Sequence, residues 1–284
     1  MTLMPNLKPY DKSALVEIDV FKNPPESWWS TVTDVVAKPF EVVADFAFDN
    51  PVGAAVTKAI SGIVSLLNDG ASWTVRTSAV LEEYRDDGHS TVTTLKNIQE
   101  LDLEQADRTV GYLGAKYKSL AFGEGAGAGA LGAPGIAIDI PALVGLSLRA
   151  VNEYATYYGF DVALESERMF AMQILSAASA PSVAAKQVAL AELSRVAVMI
   201  AQRKTWAVLQ RLVAAQMVKK IAEALGIRLT KAKLAQVVPV AGALVGGGFN
   251  AWYVGSVTEA AYLLYRERFL MEKYGPEIAV PVRK

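Results

Sequence analysis

The chain contains no cysteine and a single histidine, His89. Disulfides and thiolate metal sites are therefore excluded, and a multi-histidine centre or a Ser-His relay has almost no material to draw on. Charge is also scarce: Asp, Glu, Lys and Arg make up 20% of 284 residues, below the usual quarter. The opening stretch, MTLMPNLKPYDKSALVE, has no apolar h-region and carries Pro5 and Pro9, so it does not read as a signal peptide. No G-x-S-x-G, H-E-x-x-H or G-x-x-x-x-G-K-[ST] occurs, and no run of alternating apolar and polar residues suggests strands. Neither a metal nor a cofactor is expected.

What the chain has in place of these is apolar and small. Hydrophobic residues reach 52%, mean hydropathy is +0.25, and there are 21 glycines. Helical spacing recurs almost throughout, as in Val56, Ile60, Ile63, Val64 and Leu67, which predict a helix over Val52–Leu67. Further helices are expected over Trp73–Tyr84, Val92–Leu101, Leu103–Leu120, Ile140–Tyr158, Asp161–Leu175 and Val183 to about Leu225, with a last one ending near Tyr274-Gly275-Pro276. The fold class is all-α, a multi-helix bundle with two glycine/alanine-rich helical hairpins. Three regions are expected: an irregular N-terminal arm (1–26), an N-terminal helical region (27–122) and a helical core (123–284), the last two forming one continuous domain.

The two small-residue segments are the most distinctive feature. The first runs from Gly123 through Gly135 to Leu148; the second spans 234–258 without a charge and includes Pro239, Gly246, Gly247 and Gly248. Each places a polar residue, Asp139 or Asn250, ahead of a tyrosine-bearing helix. Asp139 to Tyr154 and Asn250 to Tyr265 are both fifteen residues apart, which suggests a degenerate internal duplication. Glycine costs a helix roughly 1 kcal/mol against alanine, so such clusters need a reason. Gly125 with Gly129, and Gly242 with Gly246, have the four-residue spacing of close helix packing, in lipid or inside a tightly packed core. The interrupting proline, glycines and Asn250 favour a shallow or re-entrant hairpin over a full span. The G-x-G-x-x-G at Gly127, Gly129 and Gly132 follows no strand and is a product of the alanine-glycine tract.

Asp139 has two readings. It can cap a helix starting at Ile140, with Pro141 in the first turn and Gly159 just past the end. It can instead be a buried acid that converges with Arg149, Tyr158 and Arg168 as candidate catalytic residues. The cluster Glu82, Glu83, Asp86, Asp87 and His89 reads as a solvated helix end.

Charge is unevenly spread. Between Arg195 and Lys233 nine bases face one acid, a local +8 in a chain whose total is −1. Lys204, Arg211, Lys219 and Lys220 form the basic side of a helix whose other face carries Trp206, Leu209 and Val213, a pattern suited to anionic membrane surfaces. Trp28 and Trp29 are further candidates for an interfacial anchor. A solvated face over a core remains the alternative. No helix-turn-helix or zinc motif accompanies the patch, so nucleic acid is not an expected partner.

The order Asp139-Ile140-Pro141, Arg149, Tyr158-Gly159, Asp161 and Glu167-Arg168, followed by Pro239-Val-Ala-Gly-Ala243, Asn250, Ala260-Ala261 and Tyr265-Arg-Glu-Arg268, resembles the EcsC protein family over about residues 70–275. The resemblance implies a bacterial, membrane-associated protein and brings no established reaction. The function expected is non-enzymatic binding or shallow insertion at the cytoplasmic face of the cell membrane, with anionic lipids as partners and a homo-oligomer possible. The alternatives are a lipid-acting, hydrolase-like enzyme centred on Asp139, and a soluble scaffold packed through its glycine hairpins.

Overall fold

The computed structural model describes residues 6–25, 51–69, 75–129, 133–180, 183–202, 221–223, 225–226, 229 and 242–283. Among them are ten α-helices and no strand, which makes the fold all-α. They are α1 (Pro9–Lys22), α2 (Pro51–Asn68), α3 (Thr77–Asp86), α4 (Leu95–Glu100), α5 (Leu103–Val110), α6 (Leu113–Gly129), α7 (Ala133–Tyr157), α8 (Glu165–Ala178), α9 (Val183–Ala201) and α10 (Gly242–Tyr274). A 3₁₀ turn, Pro276–Ile278, follows. The helices expected near Trp28 and Trp29 and around Lys204, Arg211, Lys219 and Lys220 lie outside the described residues, as does Pro239.

Local sequence sets several of the ends. Thr94 opens α4 with a capping box: its hydroxyl accepts from the Asn97 amide at 3.4 Å, and the Asn97 side chain accepts from the Thr94 amide at 3.1 Å. Gly159 lies just beyond α7 with φ +81°, the left-handed position that a glycine takes without a Cβ penalty. Its carbonyl receives the Gln99 side chain at 3.0 Å, so the turn is also tied to α4.

Three expectations need correction. The N-terminal arm is not irregular. Pro9 occupies the first helical turn of α1, where a missing N–H breaks no helical bond, and Ala14, Ile18 and Lys22 are buried. The single helix expected over Leu103–Leu120 is two, α5 and α6, separated by a turn at Gly111-Tyr112. Finally, α7 begins at Ala133, not at Ile140, so Asp139 and Pro141 are inside it. The first-turn proline of this helix is Pro134; Pro141 is an interior proline, tolerated beside α2, where Gly62 makes room for it. A Cβ on Gly62 would stand 2.7 Å from the Pro141 ring.

The spine of the molecule is α10, 33 residues and about 50 Å long. Helix α6 runs antiparallel along its N-terminal half, and α1, α7 and α8 also pack against α10. Tyr84, Tyr117, Tyr158, Tyr265, Phe170 and Phe269 are fully buried within one core that takes residues from α1 to the C-terminal tail. The expected limit between residues 122 and 123 falls inside α6, and α1 docks on α10, so neither limit separates one folded unit from another.

Candidate functional site

Two glycines of the second apolar segment, Gly247 and Gly255, are explained by α6. At Gly247 a Cβ would lie 2.8 Å from the Phe122 carbonyl oxygen, and at Gly255 it would lie 2.7 Å from the Lys118 stem. Two glycines eight residues apart on α10 therefore meet two residues four apart on α6: at Gly247 the missing side chain admits the Phe122 backbone, and at Gly255 it makes room for the flexible Lys118 stem. Gly125 is buried on α6, whereas Gly248 meets nothing within 4 Å. Gly129, Gly242 and Gly246 lie within the helical backbone. From Gly242 onward the second segment is one continuous helix.

Asp139 and Asn250, the two polar residues at matching positions, meet. The Asn250 amide donates to the Asp139 carboxylate at 3.2 Å, between α7 and α10, with both side chains buried. Downstream of them Tyr154 and Tyr262 pack edge to face at 6.3 Å, so the related stretches lie side by side. Replacing Asn250 with Leu removes a donor from a buried carboxylate and is expected to cost about 1–3 kcal/mol. Urea titration followed by circular dichroism reads that loss, and an unchanged midpoint would mean that the bond carries no weight.

The other candidate catalytic residues bond elsewhere. Arg149 is exposed and pairs with Glu153 at 3.5 Å, a carboxylate that Lys116 also reaches at 2.6 Å. Tyr158 donates to Asp107 at 2.6 Å, and its hydroxyl is pushed well above its ordinary range, chiefly by burial. The Nε of Arg168 donates to the Val162 carbonyl at 3.1 Å. In the acidic cluster, Glu83 accepts from Tyr157 and, at 3.1 Å, from Tyr112, while Asp87 accepts from Thr109 at 2.7 Å. Among the described residues no group of three or more carboxylates or histidines is disposed to hold a metal ion.

Sequence reasoning missed the ion pairs made by three consecutive residues of α10. Arg266 pairs with Asp107 of α5 at 2.9 Å and with Glu17 of α1 at 2.5 Å. Glu267 takes Lys22 of α1 at 2.6 Å and the Val280 amide of the tail at 2.8 Å. Arg268 grips Glu167 of α8 through both guanidinium nitrogens, between the rings of Phe160 at 4.1 Å and Phe170 at 4.6 Å. All three side chains are at most 3% exposed. Burial pulls the Arg266 guanidinium toward neutrality, but Asp107 and Glu17 more than offset it and hold it charged. The signal was a charged triplet between Ala260–Tyr265 and Phe269–Met271, apolar on both sides.

Two features of the surface remain free to act. Leu120, Phe122, Ile138 and Trp252 are large apolar side chains left 42–65% exposed at the end of the bundle where the glycine segments begin. Phe249 connects this patch to the core, 5.8 Å from the Trp252 ring and stacked on Tyr253 at 6.4 Å. Beside it a groove of about 630 Å³ runs between α6 and α10, lined by Lys118, Tyr154, Trp252, Gly255, Glu259 and Tyr262. No described helix is long and apolar enough to cross a membrane.

The chain is 32% identical over 182 residues to the uncharacterized protein YdbA of Bacillus subtilis (strain 168), covering 63% of this chain and 64% of that protein. The chain thus spans less than two thirds of that relative. No solved structure matches it. The sequence profile of the EcsC protein family matches residues 14–270, through all ten described helices from within α1 to within α10, and the chain belongs to that family.

Proposed function

We propose that the protein is a non-enzymatic helical module that associates with the cytoplasmic face of a membrane and dips its glycine-rich end into the interface. The observation that carries this reading is the exposure of Leu120, Phe122, Ile138 and Trp252, large apolar side chains on or beside the glycine-rich stretches of α6, α7 and α10. An apolar patch of this kind marks a surface that another apolar phase or a partner covers. Without a described helix able to span, the contact is interfacial. The excess of +8 over 195–233 adds attraction to anionic lipid, each cation contributing about 1 kcal/mol near the surface.

Cosedimentation with liposomes tests it. Binding is expected to phosphatidylglycerol vesicles at low salt, weaker at 0.5 M salt. Trp252→Glu is expected to reduce the partition coefficient at least tenfold, since a buried aromatic contributes about 1.5–3 kcal/mol. No cosedimentation at low salt, or a Trp252→Glu partition equal to wild type, would overturn the reading. A homo-oligomer formed through the same patch is the outcome if size measurement in detergent-free buffer gives a discrete multimer that Trp252→Glu dissociates.

A further inference from the structure

From the groove between α6 and α10 we infer that this end of the molecule binds one phospholipid with a zwitterionic head group, an ammonium joined to a phosphate by a short linker. The inference rests on the membrane reading, because the chains of that lipid must leave the groove toward the bilayer. Three observations carry it.

The first is an unpartnered polar group in the wall. Tyr154 is 4% exposed, lines the groove, and its hydroxyl has no hydrogen-bond partner among the described residues. It sits against Gly114, where a Cβ would come within 3.4 Å of the oxygen. The oxygen opens into the groove, where a ligand can bond it. Burial alone pushes this hydroxyl above its ordinary range, consistent with its having no charged neighbour inside the protein.

The second is the charge on the walls. Lys118 of α6 lays its stem over Gly255, and its ammonium makes no ion pair among the described residues. Glu259 lies one turn beyond Gly255 on α10, within electrostatic reach of Lys186 of α9, whose ammonium rests over the Phe21 ring at 4.5 Å. Lys118 and Glu259 thus put a cation and an anion in the same groove, which complements a head group that carries both charges better than a purely anionic or purely cationic ligand.

The third is direction. Antiparallel α6 and α10 set Gly114, Tyr154 and Glu259 toward one end of the groove, Lys118 and Gly255 in the middle, and Trp252 at the other end. Beyond Trp252 come the Phe122–Gly247 contact and the exposed Leu120. The polar end thus receives the head group, with phosphate at Lys118 and Tyr154 and ammonium at Glu259. Acyl chains pass Trp252 to the apolar end. A volume of about 630 Å³ is within the range of small-molecule pockets and admits a head group with its glycerol.

Calorimetric titration of the full chain with dihexanoyl phosphatidylethanolamine, kept monomeric, tests this apart from any vesicle. Saturable one-to-one binding is expected, at least tenfold tighter than dihexanoyl phosphatidylglycerol. Free O-phosphoethanolamine is expected to bind at least tenfold more weakly than the lipid. Lys118→Gln and Glu259→Gln, both at exposed positions, are each expected to weaken lipid binding about tenfold while melting like the wild type. Absent binding, equal affinity for the glycerol head group, or two variants that titrate like wild type would each overturn the inference. Equal affinity for free O-phosphoethanolamine would overturn the lipid and assign the site to a soluble head group. Vesicle cosedimentation without monomeric lipid binding overturns the groove and leaves the membrane contact; monomeric binding without cosedimentation does the reverse.

Discussion

Glu167→Ala is expected to lower the unfolding free energy by about 3–5 kcal/mol, because it leaves the Arg268 guanidinium buried without its counter-ion. Both partners are almost wholly removed from water, at 3% and 5% side-chain exposure. The glutamate holds both guanidinium nitrogens, and two aromatic faces complete the enclosure. Phe160 and Phe170 can stack on the cation but cannot neutralise it, so the charge must drag water into the core or the helices must part. Removing both charges is a different experiment. Arg268→Met with Glu167→Leu fills the same space with apolar atoms and is expected to be near neutral or stabilising. Urea titrations of the single and double variants decide the matter. A single-variant loss under 1 kcal/mol would show that water already reaches the pair.

The same argument explains why three charges can stand in a row in the buried part of α10. Successive residues on a helix point about 100° apart, so Arg266, Glu267 and Arg268 face different neighbours. Arg266 reaches α5 and α1, Glu267 reaches α1 and the tail, and Arg268 reaches α8. Together the pairs draw α1, α5 and α8 onto α10, α1 being the element whose prolines made it look like a loose arm. Buried ion pairs add little net stability over apolar packing, but they penalise every arrangement in which a partner is misplaced. The triplet therefore sets which helix docks where.

How much of this was legible in the sequence depended on the range of the interaction. Periodicity placed α2 to within a residue at each end: Val52–Leu67 against Pro51–Asn68. The stop at Gly159 was also readable, since a glycine after a long apolar helix has few other uses. Asp139 was misread because two prolines, Pro134 and Pro141, can each open a helix, and choosing between them depends on what packs alongside. The room for an interior proline is supplied by Gly62, 79 residues earlier in the chain. The equal spacing around Asp139 and Asn250 did correspond to something physical, as the two residues share a hydrogen bond. That the glycines of α10 face α6 was beyond reach, because close approach to lipid and close approach to a neighbouring backbone select the same residue. The same limit hid Lys118, an ordinary surface lysine by sequence, whose position over Gly255 becomes visible only when α6 and α10 are set side by side.

Gly159→Ala is expected to cost about 3–4 kcal/mol, and Gly88→Ala only about 1–2 kcal/mol, although both glycines have positive φ. The left-handed backbone alone accounts for the smaller figure: at Gly88, with φ +94°, a Cβ meets nothing within 4 Å. At Gly159, with φ +81°, the same atom would fall 2.6 Å from the Leu95 carbonyl oxygen and 2.8 Å from the Gln99 side chain. Gln99 can swing away, but it would then give up its bond to the Gly159 carbonyl. The Leu95 oxygen belongs to the first turn of α4 and cannot move without shifting that helix. Relief must come from moving the end of α7, which carries the Tyr84 bond to the Tyr157 carbonyl at 2.6 Å and the Tyr158 bond to Asp107 at 2.6 Å. The damage would thus pass from the buried turn after α7 into the network around Arg266. Thermal and urea unfolding of the two variants measure the difference, and equal losses would show that α4 yields and that the contact at Leu95 imposes no constraint. A larger loss for Gly159 with a broadened transition would show the strain reaching Asp107, and the further replacement Asp107→Asn would then cost less in the Gly159→Ala background than in the wild type.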